Sequence, residues 1–160
     1  MSTLDAELPR APHVEGPSPH LLIIRAPYYR DVVDGLTAGA YRILGEAGAT
    51  ADTLDVAGAY ELPQVLRIAL RGSRRFDGFI ALGCVIRGET SHYDIVCNEC
   101  ARGVQNLAIE HGLAVGFGVL TVEDEEQAWV RAKKSEMDKG GETARACLAM
   151  IALRRELGHH

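Results

Sequence analysis

Within six residues, the segment Arg87-Gly88-Glu89-Thr90-Ser91-His92 gathers a guanidinium, a glycine, a carboxylate, two hydroxyls and an imidazole. It directly follows the apolar run FIALGCVI (79–86) and leads into an amphipathic stretch over 92–110. The run lacks period-2 alternation, which marks a central parallel strand buried on both faces. Small and hydroxylic residues therefore stand where a strand ends and a helix starts, the edge at which open α/β sheets hold ligands. The free N–H groups of a helix start attract anions, and histidine exchanges protons near neutrality. This set suits a site for a phosphorylated or otherwise anionic small molecule.

In a parallel sheet the loops after the other strands collect at the same edge. They carry Ala26-Pro27-Tyr28-Tyr29, Ala57-Gly58-Ala59-Tyr60-Glu61 and the residues from Thr121 onward. A ring stacks on a planar heterocycle, a carboxylate with backbone groups holds a polyol, and an arginine completes a phosphate site. Each residue also has a plain structural role. His92 and Glu61 suit a first helical turn, Tyr28 and Tyr60 suit half-buried packing, and Arg131 and Lys139 suit a solvated helix face. Their convergence carries the functional reading, not any one of them.

The elements that must position these residues alternate along the chain. LLIIR (21–25) reads as a strand, and 29–47 as a helix with Val32, Val33, Leu36, Ala40, Ile43 and Leu44 on one face, stopped by Gly48. A second strand is expected over 50–56, a helix over 61–71, a third strand over 77–86, a helix over 92–110 and a fourth strand over 114–120. Thr121 is expected to cap the next helix, with Asp124 in the capping-box position, and that helix to end near Lys134. A break over 137–141 precedes a last helix over 142–157. Such alternation gives an α/β fold with right-handed crossovers and a mainly parallel sheet covered on both faces. Residues 1–19 hold four of the six prolines and read as a flexible arm ahead of a single domain over 20–158.

An apolar fraction of 47% and a charged fraction of 24% fit one globular domain. A net charge of -5 and the lack of a long basic run argue against a nucleic-acid partner. No apolar run approaches the ~20 residues of a membrane helix, and the acidic, polar start MSTLDAELPR is no signal peptide; a cytoplasmic location is expected. Cys97-Asn-Glu-Cys100 is formally C-x-x-C, but no second Cys/His pair completes a zinc site, and the pair lies well inside a helix. Packing roles are expected for all four cysteines, with no metal.

GAYELP (58–63), ALGCVIRGETSHYDIV (81–96), FGVLTVE (117–123), QAWVRA (127–132) and DKGGETA (138–144) occur in order. Together, over about 20–157, they resemble the 6,7-dimethyl-8-ribityllumazine synthase family of riboflavin biosynthesis. The resemblance implies a transferase that needs no cofactor, on a flavodoxin-like three-layer α/β/α sandwich around a four-stranded parallel sheet. It also implies homopentamers, some extending to decamers or hollow shells, with active sites shared between subunits. The proline-rich arm suits a free pentamer better than a shell, since proline cannot donate to a strand ladder.

By the same resemblance, Tyr28 takes the place of the ring stacked on the substrate pyrimidine, and Ala59, Tyr60 and Glu61 hold the ribityl chain. Val85 and Ile86 meet the pyrimidine through their backbone. Gly88, Glu89 and Thr90 form the phosphate turn, with Arg131 as its charged partner and His92 as the proton-transfer residue. Phe117 and Lys139 match residues supplied by a neighbouring subunit. The implied reaction condenses 5-amino-6-(D-ribitylamino)uracil with 3,4-dihydroxy-2-butanone 4-phosphate, eliminates phosphate and closes the second ring with loss of water. Three positions depart from the family pattern. Pro27-Tyr28 replaces the commoner aromatic loop, Glu89 adds a charge beside the phosphate turn, and Asp138 replaces a frequent asparagine and is expected to pair with Lys139. The altered loop supports an alternative, a non-catalytic ligand-binding or shell-forming paralogue; a ring-transferring riboflavin synthase on the same fold is a nearer one.

Overall fold

The computed structural model describes residues 7–159. Four strands, β1 (His20–Ala26), β2 (Thr50–Asp55), β3 (Gly78–Ile86) and β4 (Val115–Val122), form one parallel sheet in the order β2-β1-β3-β4. Helices α1 (Arg30–Glu46), α4 (Glu125–Ala132) and α5 (Lys139–Glu156) cover one face, and α2 (Leu62–Arg71) and α3 (His92–His111) the other. This is the three-layer α/β/α sandwich expected from the sequence.

The lack of alternation in the central strands has a direct cause. In β1, Leu21 and Ile23 enter the core under α1, α4 and α5, while Leu22, Ile24 and Ala26 enter the one under α2 and α3. In β3, Ile80, Leu82 and Cys84 go one way and Phe79 and Ala81 the other. Both faces are dry along 21–24 and 79–84, so these positions are apolar or glycine. The edge strand β2, TADTLD, is polar and largely exposed.

Two helix starts differ from expectation. Strand β4 runs on through Thr121 to Val122, and Asp124, not Thr121, caps α4 by accepting from the Gln127 N–H at 2.8 Å. Helix α5 starts at Lys139, earlier than the expected residue 142, because Asp138 caps it from a left-handed backbone (φ 45°), its carboxylate accepting from the Gly141 N–H at 3.2 Å. Glycines blurred this second start, since they read as a break. They are needed for proximity instead: a Cβ on Gly140 would stand 1.9 Å from the Leu36 carbonyl oxygen of α1. The expected Asp138–Lys139 pair does not form. Asp138 is fully buried and paired with Arg42 of α1 at 2.7 Å, and Lys139 pairs with Glu142 at 2.6 Å. The left-handed turn at Asp138 turns its carboxylate inward, where the Gly141 N–H and the guanidinium of Arg42 compete for it better than a lysine headed for solvent.

Residues 7–19 carry no helix or strand and lie along the domain. Ala11 and Val14 pack on the α1/α5 core. Arg42 donates to the Pro9 carbonyl at 3.0 Å, and Arg155 to those of Glu15 and Pro17 at 2.7 and 2.8 Å.

Candidate active site

The helix after β1 crosses one face of the sheet and the helix after β3 crosses the other. The crevice between the carboxyl ends of β1 and β3 is therefore the topological switch point, where open α/β sheets bind ligands. Strand β1 stops pairing at Ala26, opposite Gly83, but β3 continues for Cys84, Val85 and Ile86, paired with β4 alone. The main-chain groups of this overhang that face β1 stand beyond the β1 ladder. They supply donors and acceptors aligned along a flat edge, as a planar heterocycle with amide-like edges requires.

Three sequence-derived segments meet here. Tyr28 follows β1, is 75% exposed, and leans edge-on against Tyr29 with centroids 5.1 Å apart. Three residues, Pro27 to Tyr29, separate β1 from α1. After β2, a 3-10 turn (Ala59–Glu61) buries Ala59 and leaves Tyr60 half exposed. The Glu61 carboxylate folds back over Gly58, with Oε2 3.2 Å from where a Cβ on that glycine would stand. After β3, Gly88, Glu89 and Thr90 are exposed, and Gly88 has open space around it. His92 opens α3, exposed, its N–H 3.4 Å from the Thr90 hydroxyl.

Three predicted site residues lie elsewhere. Phe117 pairs with Ala81 in the middle of β4, five residues short of the strand end and so about 17 Å away along it. It is 41% exposed and lines a groove of ≈ 690 Å³ with Val104, Ile109, Leu113, Met150 and Leu157. Arg131 lies in the last turn of α4, half-buried, donating to the Gln127 carbonyl at 3.0 Å. Lys139 opens α5 beside Thr143, whose side chain packs against Gly118 of β4. One chain thus presents an exposed turn, a histidine and a strand overhang at its sheet edge, and a phenyl and a lysine along the flank formed by β4 and α5.

The sequence reading passed over the partners of Arg87. Its Nε donates to Glu123 at 2.9 Å, its Nη1 reaches Asp94 at 3.4 Å, and its guanidinium lies 4.2 Å from the Tyr93 ring centroid. Burial raises the Tyr93 hydroxyl above the usual phenol value, and that hydroxyl faces Thr121 and the Cys97 thiol. No local spacing signals the Asp94 contact, since a turn separates Arg87 from α3, and the approach of Glu123 comes from the β3–β4 register. All four cysteines are free, and no metal-ligating cluster exists among the described residues. Burial pushes the thiols of Cys84 up to about 11 and of Cys100 and Cys147 up to about 12.

Fold and site together define an α/β protein with a crevice at the switch point of a parallel sheet, the place where such folds hold small-molecule ligands. A family model for 6,7-dimethyl-8-ribityllumazine synthase matches residues 18–155. A protein of that name from Agrobacterium fabrum is 51% identical over 144 residues, 88% of this chain and 97% of the relative. 6,7-Dimethyl-8-ribityllumazine synthase 1 of Rhizobium meliloti is 51% identical, over 87% of this chain and 94% of the relative. The synthase of Bartonella tribocorum is 47% identical over 88% and 93%. The chain belongs to the 6,7-dimethyl-8-ribityllumazine synthase family.

Proposed function

We propose that the protein condenses 5-amino-6-(D-ribitylamino)uracil with 3,4-dihydroxy-2-butanone 4-phosphate to 6,7-dimethyl-8-ribityllumazine, releasing phosphate and water, in riboflavin biosynthesis. The observation that carries this reading is the placement of the Gly88–Thr90 turn and His92 at the end of the overhanging strand β3, across the crevice from Tyr28, in a chain of this family. The amine of the pyrimidine attacks the ketone and an imine forms with loss of water. Phosphate is then eliminated, and the ribitylamino nitrogen closes the second ring with loss of a further water. Both reactants are intrinsically reactive, so holding them together dominates: orientation supplies effective molarities of order 10⁵–10⁸ M, whereas one acid–base group adds about 10²–10⁴-fold.

In this reading Val85 and Ile86 meet the pyrimidine with their main chain, and Tyr28 covers its face. Ala59, Tyr60 and Glu61 hold the ribityl hydroxyls. The N–H groups of Gly88, Glu89 and Thr90 hold the phosphate while the Glu89 side chain points to solvent, and His92 moves protons at the ketone and the leaving phosphate. Phe117, Lys139 and Arg131 complete the site from a neighbouring copy in a cytoplasmic homopentamer. The position of Phe117, far from its own crevice and half exposed in an apolar groove, supports that sharing. The test is to mix the purified protein with both substrates and follow lumazine absorbance. A rate above the spontaneous one is expected; product at the spontaneous rate alone overturns the proposal.

A further inference from the structure

We infer that Arg87 is a positioning residue: it clamps the two ends of the Gly88–Thr90 turn and so sets the geometry of phosphate capture, without itself binding phosphate. This rests on the site reading above and adds to it the part that holds the turn in shape.

Residues 88–90 have little support of their own. All three are exposed, Gly88 has open space around it, and the contact they share with α3 is the 3.4 Å approach of the His92 N–H to the Thr90 hydroxyl. Only Ser91 joins the helix ladder, its carbonyl accepting from the Asp94 and Ile95 N–H groups at 3.1 and 3.4 Å. Both ends of the turn are, in addition, tied through one residue. The Arg87 N–H extends the sheet by donating to the Val122 carbonyl at 3.0 Å, which fixes the entry to the turn on the β3–β4 ladder. Its guanidinium then reaches past the turn. It meets the first residues of α3 twice, at the Tyr93 ring (4.2 Å) and the Asp94 carboxylate (3.4 Å), and meets Glu123 after β4 at 2.9 Å. Entry and exit of the turn are thereby held to each other and to the start of the β4–α4 connection.

The same contacts argue against a direct phosphate role. Two carboxylates already compensate this cation, and its flat face lies on an aromatic ring, an arrangement that a planar forked guanidinium makes and a lysine ammonium cannot reproduce. What remains for an incoming phosphate is the row of turn N–H groups, whose spacing the clamp fixes.

The test uses the full-length protein and two variants, Arg87→Gln and Arg87→Lys, with inorganic phosphate as the probe, followed by calorimetric titration and by steady-state kinetics. Both variants are expected to bind phosphate roughly tenfold more weakly, one decade in an equilibrium constant. The KM for the phosphorylated ketone should rise in parallel, while the KM for the pyrimidine stays within about twofold. A general loss of structure would move both KM values together, which overturns the clamp. Phosphate binding by Arg87→Lys equal to wild type also overturns it, since charge alone would then suffice. If Arg87→Gln fails to fold, Glu123→Gln removes the shortest arm and is expected to shift phosphate binding in the same direction; no shift overturns the clamp. Wild-type protein that binds no phosphate sinks the site reading as well, whereas binding by wild type with an indifferent Arg87→Lys sinks the clamp alone.

Discussion

At the residue scale, the proposed site gives His92 and Arg131 different work. His92→Ala should slow turnover by up to about 10²–10⁴-fold, the range of one acid–base group, and still leave a rate above the spontaneous one. Arg131→Ala should act mainly on the KM of the phosphorylated ketone; steady-state kinetics with each substrate varied separates the two. A correctly assembled His92→Ala protein with no activity would contradict the primacy of positioning. The cysteines give a pH prediction. Burial raises Cys84 to about 11 and Cys100 and Cys147 to about 12, from 9.0 for a free thiol. Between those values the folded chain holds protons that the unfolded chain releases, so stability falls as pH rises. That contribution is complete below about pH 9 and is lost progressively toward about 11–12. Urea midpoints should therefore drop between pH 8 and pH 10.5, and a thiol reagent at pH 8 should find these three unreactive in the folded protein. The types of these residues were legible in the sequence. Their partners were not: Asp138 next to Lys139 read as a pair, yet its carboxylate turns inward to Arg42, ninety-six positions away.

At the element scale, the sequence places strands and helices well because both faces of the central strands are dry and the helices show apolar stripes. It misjudges ends, where one hydrogen bond decides. Asp124→Ala should lower stability by about 1 kcal/mol, the usual worth of a cap, read from a denaturant midpoint. Gly140→Ala should cost more, about 1–3 kcal/mol, because its Cβ would meet main-chain oxygen of Leu36, which moves only with helix α1. A thermal midpoint unchanged in Gly140→Ala would mean that α1 and α5 can slide apart without penalty. Glycines at 140 and 141 read as a helix break in the sequence, since no local signal says that a second helix crosses there.

For the whole molecule, the open question is what covers the β4 flank. Phe117, Ile109, Met150 and Leu157 all stand exposed around the same groove. Apolar exposure of this kind fits the proposed contact with a neighbouring copy. Light scattering is expected to give the mass of a pentamer, and Phe117→Asp to weaken that assembly and raise the KM for the pyrimidine together. A monomer of full activity would refute the shared site. The sequence by itself determined the parallel α/β class, the order of its elements and the residue types gathered at the end of β3, because burial on two faces and strand-to-helix turns write themselves into local residue patterns. Only the tertiary structure decided that β3 overhangs β1, that Arg87 bridges Asp94 and Glu123, that Asp138 is buried on Arg42, and that Phe117 faces away from its own crevice. Those depend on register and on helix crossings between segments far apart in the chain, and pattern along a single strand or helix carries no record of them.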